Sequence, residues 1–335
     1  MARFLRKVTT RTLTLGTPET IQMPRNNPIR EIVLRIAGSV TISGGLTSGT
    51  PKDSNPLQVI SRITVRRNGS DTLISIPGDR LHRLVHILNG ARPAITGLSN
   101  GDAQTNTAVS GIIRIPFENV AGIRPFDTLL DASKAQTLDL ILETQAVSNI
   151  INGGDRTVAV GSTSFSVEVL SNEEVLSVAA LKQNPVFGDI HISQVWQDDF
   201  TAANSKYQIK PINVGNRYKG LLLVIEDTDE NGLLTSELVN NIKLASGQEV
   251  FIDAPGKALR EEVKDRFGID TLPEGYYYVD LMPDGRLNST LDVRDGTGRN
   301  TLEMELDLSA PGTTGTVYLF ALEYLPPIIL KPQTA

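Results

Sequence analysis

The chain has 335 residues, about the length of two domains, and its 40% hydrophobic and 21% charged residues suit a globular protein with a buried core. Cysteine is absent, which excludes disulfides, thiolate catalysis and Cys-ligated zinc or iron–sulfur sites. The net charge of −6 is uneven: residues 1–175 carry 18 basic against 15 acidic side chains and the remainder 14 against 23, an acidic half that argues against a nucleic-acid-binding surface there.

The chain opens with "MARFLRKVTTRTLTLG", which is basic but lacks the apolar stretch of a secretory signal. No later run approaches the ~20 apolar residues needed to span a bilayer. Alternation begins near Val8, so Arg3, Phe4, Arg6 and Lys7 are expected on a short arm ahead of the first strand, with Arg11 just inside it. Period-two runs rich in Val, Ile, Leu and Thr then predict strands near 8–16, 29–43, 59–67, 71–76, 110–117, 137–144 and 163–170. Clusters such as "SGGLTSGTPKDSNP" and "NGARPAITGLSNGDAQTNT" have the composition of loops. Beyond a linker at 172–188, further strands are expected near 189–196, 205–212, 216–226, 239–245, 248–253, 274–282, 300–308 and 315–325. Each half therefore offers about eight short strands, the complement of a jelly roll.

Two helical segments interrupt this pattern at equivalent places. After Pro77-Gly78 comes "DRLHRLVHIL", and after Pro255-Gly256 comes "KALREEVKDRF". Leu81 and Val85 of the first map onto Leu259 and Val263 of the second, at helical spacing. The hairpin ahead of each helix repeats as well, "ITVRRNGSDTLISIPG" against "IKLASGQEVFIDAPG". Downstream, "TLDLILE" (137–143) lies over "TLEMELD" (301–307). The second copy is shorter after its helix, where the first has its long polar loop at 89–109; loops absorb such length changes cheaply. Repeats in the same order imply a tandem duplication, with units at 1–171 and 189–335.

Two tandem cysteine-free β-barrels resemble the double jelly-roll major capsid proteins of tailless icosahedral DNA viruses, the tectivirus, corticovirus and adenovirus lineage. The likeness is strongest over 29–88, "IREIVLRIAGSVTISGG…PLQVISRITVRRNGSDTLISIPGDRLHRL", and is nearest to the membrane-containing bacteriophage members. That resemblance implies an all-β fold of two eight-stranded jelly rolls, each with a flanking helix. It also implies a non-enzymatic, cofactor-free capsid subunit that forms pseudo-hexagonal homotrimers. The expected partners are neighbouring capsomers, penton and minor capsid proteins and an internal viral membrane, with no sequence-specific nucleic acid. The expected location is the virion, assembled in the host cytoplasm. On this reading Arg3, Phe4, Arg6, Lys7 and Arg11 are candidates for the inner face and for contact with an anionic membrane.

Chemical alternatives find little support in the residues. His82 and His86 stand at i, i+4 on the first helix, a spacing that can hold zinc, but no zinc-protease Glu accompanies them. Their counterparts are Arg260 and Lys264, which suggests a solvated or interfacial face. "DTDENG" places Asp227, Asp229 and Asn231 as in a calcium loop, but the twelfth position is Leu238 rather than Glu. No nucleophile motif or carboxylate pair stands out. The rival reading is a carbohydrate- or receptor-binding jelly roll, such as a lectin or spike module; "GYYYVD" (275–280) offers three tyrosines, of which alternation sends at least one inward.

Overall fold

The computed structural model describes residues 2–175, 187–212, 216–227, 238–293 and 301–326. In the first half these form β1 (Ala2–Thr12), β2 (Glu19–Gln22), β3 (Ile29–Ser43), β4 (Thr50–Pro51), β5 (Ile60–Arg67), β6 (Asp71–Ile76), α1 (Gly78–Asn89), β7 (Ile95–Thr96), β8 (Gln104–Pro116), β9 (Leu138–Thr144), β10 (Ile151–Asn152), β11 (Thr157–Val160) and β12 (Ser166–Val175). In the second half they form β13 (Asp189–Phe200), β14 (Asn204–Ile212), β15 (Arg217–Asp227), β16 (Val239–Ser246), β17 (Glu249–Pro255), α2 (Gly256–Phe267), β18 (Tyr276–Asp280), β19 (Leu291–Asp292), β20 (Leu302–Leu308) and β21 (Gly315–Leu325).

The first half packs a sheet ordered β1-β12-β3-β8 against one ordered β2-β9-β5-β6. The second repeats that order strand for strand, β13-β21-β15-β18 against β14-β20-β16-β17. Each half is thus an eight-stranded jelly roll with one helix between its fifth and sixth principal strands. The halves join where β13 adds in parallel to the edge strand β6, pairing Ile192 with Ile74 and Ser193 with Ser75. One continuous sheet therefore runs from one barrel into the other.

Apolar periodicity explains how the barrels pack. Along β15, Leu221, Leu223 and Ile225 point into the second barrel's core, while Leu222 and Val224 join the core of the first. The same division holds on β21 (Leu319 and Ala321 against Phe320 and Leu322) and on β18 (Tyr277 and Val279 against Tyr276 and Tyr278). This sheet is buried on both faces, which is why "LLLVI" and "YYYV" are apolar without interruption. In β9, buried on one face, "LDLILET" alternates.

Several boundaries differ from the sequence expectation. β1 begins at Ala2 rather than near Val8, because residues 2–7 pair in register with 170–175 of β12. The same pairing makes 172–175 strand rather than linker. β8 starts at Gln104, inside the expected loop, since its polar, exposed first residues show no alternation. The four-residue β2 escapes periodicity altogether.

Both helices start after a proline and stop at a glycine in the left-handed region, Gly90 (φ 69°) and Gly268 (φ 65°). Leu81 and Leu259 occupy the same turn and are both buried. Leu81→Ala and Leu259→Ala are each expected to cost ~2–5 kcal/mol in chemical denaturation, because each leaves a cavity. A loss under about 1 kcal/mol at either position would contradict an equivalent packing role.

Candidate functional site at the seam between the barrels

Helix α1 lies at the seam and is buried nearly all round, so its polar residues meet protein rather than solvent. Arg80 reaches across to the second barrel: it donates to the Tyr276 hydroxyl at 2.7 Å, pairs with Glu226 and lies 3.3 Å from Asp79. One turn on, Arg83 donates to Asp53 at 2.6 Å and through a second, shorter contact. Arg92 adds its charge to the same carboxylate from 3.7 Å. Burial opposes the charge on Asp53, but the hydrogen bond and charge of Arg83, helped by Arg92, hold its carboxyl below the ordinary value. Lys52 stands nearby, its ammonium pKa lowered by burial despite the attraction of Asp79.

The two histidines belong to this network. His82 is fully buried; its Nδ1–H donates to the Ile112 carbonyl at 2.8 Å and its Nε2 accepts from Arg92 at 3.4 Å. His86 accepts from Arg83 on Nδ1 at 3.2 Å. Burial, reinforced by the arginine charges, pushes both imidazoles down to about 4. The expectation of a solvated face is corrected: the positions are interfacial and buried. Their counterparts keep that division only in part. Arg260 is buried and donates to the carbonyls of Leu272, Pro273 and Tyr276, whereas Lys264 pairs with Glu261 near the surface.

A cavity of about 710 Å³ opens beside this cluster, lined among others by Lys52, Asp53, Arg83, His86, Glu226 and Asp270. It has the volume of a ligand site but a poor constellation for catalysis. Asp53 and Glu226 are engaged by arginines, and both histidine lone pairs already accept hydrogen bonds, so the groups that α1 brings to the space are already paired. Among the described residues no three His, Asp or Glu side chains converge as a metal ion requires.

A second polar seam lies at the opposite end of β15. Lys219, at a bulge in that strand, is buried and donates to the Val120 carbonyl at 2.6 Å. Burial lowers its pKa to about 8, against the pull of Asp280 and Glu118. Nearby, the Ile123 amide donates to Gly285 and the Gly188 amide to Asp127, both at 2.9 Å. The loop after β8 is thereby tied to the second barrel, and Ile123 (63% exposed) and Phe126 (38% exposed) project from it. "GIRPF" (122–126) carries that signal in the sequence, where it passes for an ordinary loop.

The N-terminal candidates lie on β1 and not on a free arm. Arg3 donates to Asn172 at 2.9 Å and lies 3.4 Å from Glu31; Arg6 lies 3.5 Å from Glu173, and Lys7 3.1 Å from Glu168. Phe4 is 46% exposed. An extended strand rises ~3.3 Å per residue, so Arg11 stands roughly 26 Å along the barrel from Arg3 and belongs to its other end. Of the calcium candidates, Asp227 ends β15 and accepts the Gly312 amide at 3.3 Å, while Asp229 and Asn231 lie outside the described residues. Tyr276, Tyr277 and Tyr278 are all buried, so this triplet presents no sugar-stacking platform.

No family model matches the sequence, and no curated protein does. Solved structures do match. The major capsid protein of STIV superposes with a TM-score of 0.76 at 18% identity, over 98% of each chain. The major capsid protein of bacteriophage PM2 gives 0.63 at 10%, over 96% of this chain and 98% of that one. The PBCV-1 virus capsid gives 0.61 at 11%, over 96% and 93%. The fold is the double jelly roll of these capsid proteins. The bacteriophage likeness suggested by the sequence is present, but STIV, named in full as Sulfolobus Turreted Icosahedral Virus, superposes better than PM2. The lectin alternative is not favoured by these neighbours.

The buried histidines set a pH dependence. Unfolded, an imidazole titrates near 6.5; here both titrate near 4. Between those values the unfolded chain binds more protons, so stability is full above about pH 6.5 and falls as the pH drops toward 4. The unfolding midpoint is expected to decline from pH 7 to pH 5, and His82→Gln with His86→Gln should flatten that decline. A midpoint unchanged across the interval in the unsubstituted chain would contradict the assignment.

Proposed function

We propose that this protein is the major capsid protein of an icosahedral virus, a structural subunit without enzymatic turnover. The observation that carries the reading is a duplicated jelly roll that aligns over 98% of both chains with a capsid protein. Residues 1–175 and 189–335 act as the two units of one building block, joined through 176–188. Three copies make a pseudo-hexagonal capsomer that tiles with its neighbours and meets penton and minor proteins in a virion assembled in the host cytoplasm. Light scattering of the purified protein is expected to return three times 36.3 kDa at micromolar concentration. A stable monomer would contradict the reading.

The end of the barrels where β1 begins is the inner face in this account. Register places Phe4 opposite Glu173 on β12, Glu173 opposite Ile29 on β3, and Glu31 opposite Pro116, from which the loop carrying Ile123 and Phe126 departs. Exposed Phe4, Ile123 and Phe126 stand there with Arg3, Lys7 and Arg124, a mixture of apolar and basic groups suited to an anionic bilayer. Each basic residue near such a surface contributes about 1 kcal/mol, weakened by salt. The protein is expected to float with vesicles containing anionic phospholipid, and Arg3→Ser with Phe4→Ser should reduce that binding several-fold. Equal flotation of variant and unsubstituted chain would contradict a lipid-facing role for this end.

A further inference from the structure

Each barrel places four strands at its sheet edges. In the first these are β1, β2, β6 and the β7–β8 side; in the second they are β13, β14, β17 and β18. The seam uses β6 of one barrel and β13 of the other. Among the described residues their counterparts, β17 of the second barrel and β1 of the first, remain sheet ends. One chain therefore carries both halves of the junction it has already made once, one half at each side.

We propose that β17 of one copy pairs in parallel with β1 of the next, repeating between chains the β6–β13 junction within the chain. The proposal rests on the self-assembly reading above and names the strands and the register that achieve it.

Two landmarks give the register. The hairpins β5–β6 and β16–β17 turn at equivalent glycines, Gly69 (φ 74°) and Gly247 (φ 57°), and both lead into a Pro-Gly helix start. On that alignment Ile74 and Ser75 correspond to Ile252 and Asp253. β1 and β13 each carry a one-residue bulge against their neighbour, between Lys7 and Thr9 and between Gln194 and Trp196. Superposing the bulges sets Val8 on Val195, and hence Leu5 and Arg6 on Ile192 and Ser193. Transferring the observed pairs, Leu5 meets Ile252 and Arg6 meets Asp253.

The side chains at those positions match the transfer. Ile74 and Ile192 are 0% and 1% exposed because the junction covers them; Leu5 is 58% exposed and Ile252 only half-buried, as expected where the cover is a second copy. Where the internal junction sets serine against serine, the external one sets a guanidinium against an exposed carboxylate. The Arg67–Asp189 ion pair of the internal seam (2.8 Å) has Ala245 and Ala2 at the equivalent places, so Arg6 and Asp253 supply the charge pairing instead. An open strand edge invites pairing, and a head-to-tail contact closes into a ring when its rotation permits. Each chain supplies one edge of each kind, so a closed ring of three leaves neither exposed.

The absence of cysteine makes the test clean. In the full chain carrying Leu5→Cys and Ile252→Cys, mild oxidation is expected to give reducible covalent dimers and trimers, since paired strands hold Cα atoms within disulfide range. Either single variant should give none above the background of non-specific dimers. Ile74→Cys with Ile192→Cys should cross-link without a gain in mass. Asp253→Lys, at an exposed position whose carboxylate accepts a hydrogen bond from Asn241, should weaken trimers about tenfold through the charge clash with Arg6, with Asp253→Asn as the neutral control. Trimers by light scattering without this cross-link, and undisturbed by Asp253→Lys, would overturn the strand junction and leave self-assembly standing. A chain that stays monomeric would overturn both.

Discussion

Burial of one sheet on both faces organises the rest of this molecule. The sheet β13-β21-β15-β18 closes the second barrel with one set of side chains and packs against the first with the other. At roughly 25 cal/mol per Å² of apolar surface removed from water, Leu222, Val224, Phe320, Leu322, Tyr276 and Tyr278 make separation of the barrels costly. Backbone pairing of β13 with β6 then sets the relative height of the two units, because a slip of one residue would turn every side chain to the wrong face. A linker alone would leave two beads on a string, whereas a shared sheet makes one block.

The buried charges at the two ends of β15 serve orientation more than stability. A desolvated ion pair gains little over a well-packed apolar pair, yet removing one partner leaves an uncompensated charge. Arg80, bridging Asp79, Tyr276 and Glu226, and Lys219, reaching the loop after β8, therefore penalise any docking of the barrels but this one. Gly90 shows how closely the helices approach: a Cβ there would come within 2.2 Å of the Phe267 carbonyl oxygen. Gly268 has the same backbone conformation with open space around it. The same arginines that lock the seam also engage Asp53, Glu226 and both imidazoles beside the cavity.

Much of this was legible in the sequence because duplication doubles the signal. Leu81 and Leu259, or the two Pro-Gly helix starts, would each be weak alone and become informative as a pair. Period-two alternation located the strands with one solvent face; that "LLLVI" belongs to a strand with none is seen only once both cores are in view. What escaped was set by partners distant in the chain. Whether residues 2–7 form a strand depends on β12, some 165 residues away, and their own letters carry no alternation. His82 and His86 read as surface because their counterparts are cationic, yet burial is decided by the second barrel. The tyrosine triplet was half legible: alternation sends alternate rings to opposite faces, but only the seam shows that both faces are interior.

A block built this way is asymmetric at its edges even though its halves are alike. The claim beneath it is that the barrels form one cooperative unit rather than two domains in contact. Native-state hydrogen exchange tests this most directly, since it resolves the free energy at which each segment opens. The account expects the amides of β15 and β21 to exchange through the same high-energy opening as those of β5 and β6. Opening of the second barrel at a markedly lower free energy, with the first still protected, would contradict it.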